Sequence, residues 1–227
     1  MTNLLEYLNE HFHTTRQLLA ASDIGKEQLC AWQQAGCMPL PSYSLDLHIS
    51  CRSFFGKHDE SLQLDFYAKD YAAWLEFLHV SSSSPSISLQ QHAYATFHQR
   101  YLAQTRKLFQ QGMQPAAFKA KEGGIDLAAL DQHIGREWIS FLKGTYGLCT
   151  KSGLPEDIAD KEMATLVIDE ITDRQCREEL TEEARMALAR AMRVLDQASG
   201  LFAPHERARS SRQRCIVAAA EKYKLVL

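Results

Sequence analysis

Apolar residues recur every three to four positions along most of this 227-residue chain. That spacing places them on one face of an amphipathic helix. It predicts a last helix ending at Tyr223 and eight earlier ones, at residues 3–12, 15–21, 26–35, 62–80, 88–111, 126–141, 155–171 and 180–198. Because the connections are short, we expect an all-α protein, a single multi-helix bundle.

One stretch departs from the helical pattern. Between Ser42 and Phe55, apolar and polar residues alternate, with Tyr43, Leu45 and Leu47 on one side. This period of two is typical of a strand or one arm of a hairpin. We therefore expect at most a short β hairpin. The next segment, 62–80, carries an aromatic stripe at helical spacing that indicates core packing.

The first 35 residues predict a helix, the tight turn Asp23-Ile24-Gly25, and a further helix that stops at Gly36. This arrangement resembles the helix-turn-helix opening of MerR-type regulators. We divide the chain into a helix-turn-helix-like subdomain, 1–58, and a helical bundle, 59–227. The resemblance implies DNA binding, but the charges oppose it, because residues 1–51 carry only Arg16 and Lys26 against five acidic residues. We expect no nucleic-acid partner.

Composition supports a globular protein, with 45% hydrophobic and 23% charged residues. The N-terminal segment lacks the cationic start of a signal peptide, and no apolar run reaches the roughly 20 residues that span a bilayer. The six cysteines are scattered. We expect a soluble, cytoplasmic protein with free thiols and no membrane partner. The basic segment 205–214 (HERARSSRQR) receives no assigned role.

Metal and cofactor motifs are weak. Cys37, His48, Cys51 and His58 lie close in sequence, but no C-x-x-C pair accompanies them. The chain has no P-loop, no dinucleotide-binding glycine pattern, no zinc-hydrolase motif and no G-x-S-x-G elbow. We predict neither metal nor cofactor.

The candidate site lies between Trp138 and Ile171. Gly144 ends one helix, and the turn after it carries Tyr146 and Cys149, so that both side chains lie at the mouth between two helices. The next helix begins at Pro155 and carries the remaining candidates. Its residue Lys161 flanks the buried face, whereas Glu162 is expected on the opposite side. Enclosed charges have shifted pKa values. We predict catalytic roles for Lys161, Glu162 and Tyr146. We predict that Trp138, Cys149 and Glu156 bind the ligand.

Ordinary ion pairing of Lys161 and Glu162 with neighbouring helices is the structural alternative to a catalytic role. Both readings remain open from the residues alone.

The pattern W-x5-G-x-Y-G-x-C followed by P-E-x-I-x-x-K-E resembles a bacterial family of unknown mechanism that is catalogued under natural-product biosynthesis. The matching positions are Trp138, Gly144, Tyr146, Gly147, Cys149, Glu156, Ile158, Lys161 and Glu162. The resemblance implies a cytoplasmic helical protein that binds or transforms a small polar metabolite. The alternatives are a ligand-responsive helix-turn-helix regulator and a non-catalytic subunit of a biosynthetic complex. A homodimer or another protein partner is compatible with each.

Overall fold

The computed structural model of the chain describes residues 3–83 and 88–225. The N-terminal half of these residues holds helices α1 to α5 and all three described strands: α1 Leu4–His11, β1 Phe12–Thr14, α2 Thr15–Ser22, α3 Lys26–Gln34, β2 Tyr43–Ser53, β3 Gly56–Ala68, α4 Tyr71–Ser82 and α5 Leu89–Gln110. The C-terminal half is helical: α6 Leu127–Leu142, α7 Thr145–Cys149, α8 Pro155–Thr172, α9 Glu182–Ala198 and α10 Ala219–Tyr223. A π-helical turn, Gln213–Ala218, precedes α10. None of the described helices is long and apolar enough to cross a membrane.

The three strands form an antiparallel sheet in the order β1-β3-β2. The prediction of an all-α bundle with at most a short hairpin is therefore wrong, since β2 and β3 are 11 and 13 residues long. Strand β3 contains the first part of the predicted helix 62–80. There Leu62, Leu64 and Phe66 alternate with polar residues and lie opposite the apolar positions of β2. The structure is a mixed α and β fold.

The predicted aromatic stripe is buried although its first residues belong to a strand. Tyr67 lies near the end of β3, and Tyr71, Trp74 and Leu78 lie on α4. The apolar residues of β3 and α4 happen to keep helical spacing across the Lys69-Asp70 turn. The sequence pattern therefore did not reveal the strand. Ser84 and Pro85 of the serine-rich loop after α4 lie outside the described residues.

Helices α2 and α3 are joined by three residues, of which Asp23 adopts a left-handed conformation (φ 51°). The hairpin of β2 and β3 follows. A small apolar cluster joins this region to the C-terminal part of the chain: Tyr7, Leu8, Phe12, Phe66 and Ala203. Residues 58 and 59, where we placed the subdomain boundary, are neighbours within β3.

The main core lies among α4, α5, α6, α8 and α9. Trp74 and Trp138 pack with Phe97 and Phe141 in an aromatic group. The indole of Trp74 donates a hydrogen bond of 2.9 Å to the carbonyl of Cys37, which fixes the segment after α3 to the core. Helix α8 packs against both α5 and α9, so its side chains are enclosed from two sides.

Close packing positions α7. Gly144 has φ 76°, and a Cβ there would overlap with the carbonyl oxygen of Leu40. A Cβ at Gly147 would overlap with the hydroxyl of Ser42. Gly147 lies within α7, and its role is to permit this close approach. The extended segment before β2 therefore packs directly against α7. Tyr146 of α7 lies beside α6 and α8.

Candidate functional site

Tyr146, Lys161 and Glu162 lie in direct contact. The Tyr146 hydroxyl donates a hydrogen bond to Glu137 on α6 and lies 3.2 Å from Oε1 of Glu162. The ammonium group of Lys161 donates to the same Oε1 at 2.8 Å. The structure thus brings together the three residues to which the sequence analysis assigned catalytic roles. It also corrects one detail, because Glu162 does not project away from Lys161.

The contacts continue from Glu137 to α5. Nδ1 of His133 lies 3.5 Å from Oε1 of Glu137, and Nε2 lies 3.0 Å from the Tyr101 hydroxyl. A neutral imidazole has one donor nitrogen and one acceptor nitrogen. A carboxylate can only accept, so we assign the proton of His133 to Nδ1, which faces Glu137, and the Tyr101 hydroxyl then donates to Nε2. Six residues therefore form a continuous group, which we call the polar cluster: Tyr101, His133, Glu137, Tyr146, Lys161 and Glu162.

Burial sets the protonation states of most of the cluster. It lowers the pKa of His133 to about 4 and raises the pKa of Glu137 above its usual value. Burial also raises the pKa of the Tyr146 phenol, and the Glu162 and Glu137 carboxylates raise it further. Burial likewise raises the pKa of the Tyr101 phenol well above its usual value. At neutral pH, both phenols and the imidazole are consequently uncharged.

Lys161 is the cation of the cluster. Burial acts to lower the pKa of its ammonium group. Cys149 in its thiolate form is the largest influence that raises this pKa, followed by the carboxylates of Glu162 and Glu137, and the pKa of Lys161 is raised overall. Burial raises the pKa of the Cys149 thiol itself to about 11. The ammonium stays charged although its side chain is only 11% exposed.

The cluster has fewer positive charges than carboxylates. Glu137 and Glu162 face one ammonium group, and the neutral His133 adds no charge. The phenol of Tyr146 has one proton and can donate it fully to only one carboxylate, which is Glu137. Its contact with Glu162, at 3.2 Å, is the longer of its two hydrogen bonds. The cluster thus places two carboxylates beside one ammonium group and one phenolic proton.

The three residues predicted to bind a ligand are dispersed. Cys149 lies near enough to Lys161 for their charges to influence each other. Trp138 packs in the aromatic core beside Phe97 and Phe141. Glu156 forms a two-pronged ion pair with Arg100 of α5, with both distances 2.8 Å. Its described hydrogen bonds and ion pairs include none to the polar cluster.

Sequence reasoning missed Tyr101, His133 and Glu137. A signal was present for the last, since Glu137 occupies a position in the apolar stripe of Leu130, Ile134 and Phe141. A carboxylate at such a position needs a buried partner. Recognising that would have added Glu137 to the candidate site.

Solvent access to the cluster is greatest at Glu162. The Glu162 side chain is 22% exposed, more than that of Lys161, Glu137 or His133. A cavity of about 550 Å³ lies elsewhere, between α2, α3 and β3. Among residues 3–83 and 88–225, no group of three or more His, Cys, Asp and Glu could hold a metal ion.

Fold and site together define a mostly helical protein with a small antiparallel sheet and a buried acid–base cluster. The model of a family of unknown function, DUF6058, matches residues 93–224, and the chain belongs to this family. The match extends from α5 into α10 and includes all six residues of the polar cluster. Comparisons with curated proteins and with solved structures gave no match.

Proposed function

We propose that the polar cluster is a proton-transfer site for a small polar metabolite. The observation that carries this proposal is the position of the Tyr146 hydroxyl between the carboxylates of Glu137 and Glu162. These two carboxyl groups share the single proton of the Tyr146 phenol, and burial raises the pKa of Glu137. Such a pair is suited to general acid–base chemistry.

Each member of the cluster has a distinct role in the proposal. Glu162 is the most exposed carboxylate and exchanges the proton with the ligand. Lys161 holds an oxygen on which negative charge resides or develops. Tyr146 connects Glu162 to Glu137, which acts as a proton reservoir. His133, held by Tyr101, orients Glu137.

The ligand must match these groups. It needs a carbonyl or carboxylate oxygen for Lys161 and, next to it, a hydroxyl or an acidic C–H for Glu162. Hydroxy acids and keto acids have this chemistry. A place in natural-product biosynthesis rests on the sequence resemblance alone and is part of the proposal.

The competing proposal is a ligand-responsive regulator that binds DNA through α2 and α3. Two helices joined by a short turn and followed by a hairpin are compatible with it. The exposed charges are not, because Arg16 and Lys26 are accompanied by Asp23 and Glu27. Submicromolar duplex binding at physiological salt, abolished by the pair Arg16→Ala and Lys26→Ala, would favour the regulator.

A ligand screen tests the proton-transfer site. The parent protein is melted in the presence of a panel of small hydroxy and keto acids. Saturation to about 100 times Kd adds roughly 2.7 kcal/mol, which for a chain of this size raises Tm by about 5–10 °C. For any acid that stabilises the parent, exchange of its α-hydrogen or hydroxyl-bearing C–H with D2O is then followed by NMR.

We expect Glu162→Gln to abolish exchange, and Tyr146→Phe to slow it by about a hundredfold. Glu156→Gln is the matched control, since it changes a carboxylate on the same helix that pairs with Arg100. Exchange that continues unchanged in Glu162→Gln would contradict the proposal, and so would a panel in which no acid stabilises the parent.

A further inference from the structure

The outer edge of β2 has no partner in the described part of the chain. The strand order β1-β3-β2 leaves that edge open along 11 residues, about twice the length of an average strand. Apart from the ladder to β3, no described backbone hydrogen bond joins β2 to another segment. A long open edge is a template for pairing with another strand.

The same hairpin extends away from the body of the protein. Every residue from 48 to 61 is exposed, so both faces of this part lack a cover. The turn at its tip carries Phe54 and Phe55, which are 97% and 95% exposed. Nearer the body, one face is apolar, with Ile49 beside the half-buried Leu47 and Leu62. Exposed apolar groups in this arrangement mark an interaction site.

On the polar face of the hairpin, two charged side chains have no ion-pair partner among the described residues. Arg52 lies directly opposite Lys57, an unfavourable pair of like charges. Lys57 is neutralised by Asp59 at 2.8 Å. Arg52 and Asp46, which share this face of β2, form no ion pair with any other described residue.

We propose that two copies of the chain pair through β2, antiparallel, about a two-fold axis at Ile49. In this register, positions whose numbers sum to 98 lie opposite each other. Asp46 then faces the partner's Arg52, and the symmetry repeats this pair on the other side. Ile49 faces its own copy, and Leu47 faces the partner's Cys51, so the apolar faces join into one surface. The interface is self-complementary, as a two-fold axis requires.

This register also covers the tip of the hairpin. Ser53, the last residue of β2, faces position 45 of the partner, so the turn with Phe54 and Phe55 lies at the base of the partner's hairpin. There Tyr43 packs edge-on against Phe12, with 5.1 Å between ring centroids. Buried aromatic side chains contribute about 150–250 Å² each, so the four tip rings supply roughly 600 Å² or more. With two paired strands, the total reaches the range of stable interfaces, about 1,200–2,000 Å².

A second copy fits the hairpin better than a charged partner does. Residues 48–61 carry two basic and two acidic side chains: Arg52, Lys57, Asp59 and Glu60. That balance gives no attraction to nucleic acid or to an anionic membrane.

Charge exchange across the interface tests the register. Sedimentation velocity over about 1–100 µM should show the parent as a dimer. Asp46→Arg alone and Arg52→Asp alone each place like charges opposite one another, and each should weaken the dimer at least about tenfold. The double variant restores the pairs and should restore the dimer. Asp59→Arg is the control, because it lies on the same face but on the inner strand β3, and it should leave the dimer intact.

Cross-linking gives a second measurement. In a Cys51→Ser background, Ile49→Cys should form an intermolecular disulfide under mild oxidation, since position 49 faces its own copy. Ser50→Cys is the matched control and should not, because it faces the partner's His48. A monomeric parent at 100 µM, or a double charge variant as weak as the single ones, would overturn the proposal.

Discussion

Lys161 and Glu162 are consecutive residues of α8, yet the ammonium of the first lies 2.8 Å from the carboxylate of the second. Neighbouring positions on a helix project about 100° apart and do not normally face each other. Here both side chains bend toward Tyr146, whose ring lies 5.6 Å from the Lys161 ammonium. The pair is therefore positioned by α7, and α8 alone would not produce it.

The two residues should respond differently to neutralisation. Glu162→Gln keeps the shape and an acceptor for Lys161 and removes one of two adjacent carboxylates. We expect it to leave Tm within about 3 °C of the parent, which is under roughly 1–1.5 kcal/mol for a chain of this size. Lys161→Met keeps the aliphatic stem but leaves two carboxylates without a cation, so we expect a clearly lower Tm. Differential scanning calorimetry of both variants provides the comparison.

Ligand binding separates a functional pair from a structural one. If the pair serves a site, Glu162→Gln loses ligand-dependent stabilisation while the fold is retained, because enclosed charges at functional sites are kept at the expense of stability. Two variants that both melt far below the parent, and still bind ligand as well per folded molecule, would show that the pair is structural.

The sequence predicted the long helices well because their signals are local. Ser88 and Asp126 are residue types that favour helix N-caps, and each accepts a hydrogen bond from the backbone at the start of α5 and α6. Strand β3 was missed because its alternation continues directly into the stripe of α4, and because one of its two partners, β1, is distant along the chain. A local period cannot report a partner elsewhere in the sequence.

Half of the polar cluster could be predicted because these residues are close together in the sequence. Tyr146, Lys161 and Glu162 lie within 17 residues of one another, so a single stretch revealed them. Tyr101 and His133 meet only because α5 packs beside α6, and no spacing in the sequence encodes that contact. The relation of Glu137 to Tyr146 also depends on the close approach that Gly144 permits.

Glu156 should behave as a structural residue. Its two hydrogen bonds to Arg100 tie α8 to α5, but its side chain is 41% exposed. We expect Glu156→Gln to lower the free energy of unfolding by about 1 kcal/mol or less, as exposed ion pairs do. Arg100→Lys should have a similar effect, because lysine cannot make the two-pronged contact. Urea denaturation measures both, and a loss of ligand binding in Glu156→Gln would restore the role predicted from sequence.

The six thiols should fall into two groups. Cys30, Cys51 and Cys176 are exposed, whereas Cys37, Cys149 and Cys215 are buried. Burial raises the pKa of the last two to about 11, so they hold little reactive thiolate. Ellman's reagent should titrate the exposed three in the native protein, with Cys51 slowed where the proposed dimer covers it. All six should react after unfolding without reductant, and a total of four or fewer would reveal disulfides.

His133 should make the protein sensitive to acid. Burial lowers its pKa from 6.5 to about 4 in the folded state, so between these values the unfolded chain binds a proton that the folded chain does not. Stability from this group is therefore fully present above pH 6.5 and is lost as the pH falls toward 4. The full loss corresponds to roughly 3 kcal/mol.

The difference in stability between the parent and a variant that lacks the imidazole isolates the effect of His133. The pKa values of Glu137 and Asp160 are raised by burial, so these carboxyl groups contribute in the opposite sense as the pH falls. They are common to the parent and to His133→Gln, which retains a donor and an acceptor but does not titrate. Urea denaturation at pH 7, 6, 5 and 4.5 should show the parent losing stability relative to this variant. His79→Gln, on the exposed side of α4, should follow the parent. A constant difference between parent and His133→Gln across this range would mean that the imidazole is already accessible to protons in the folded state, and that the cluster is open where we place it closed.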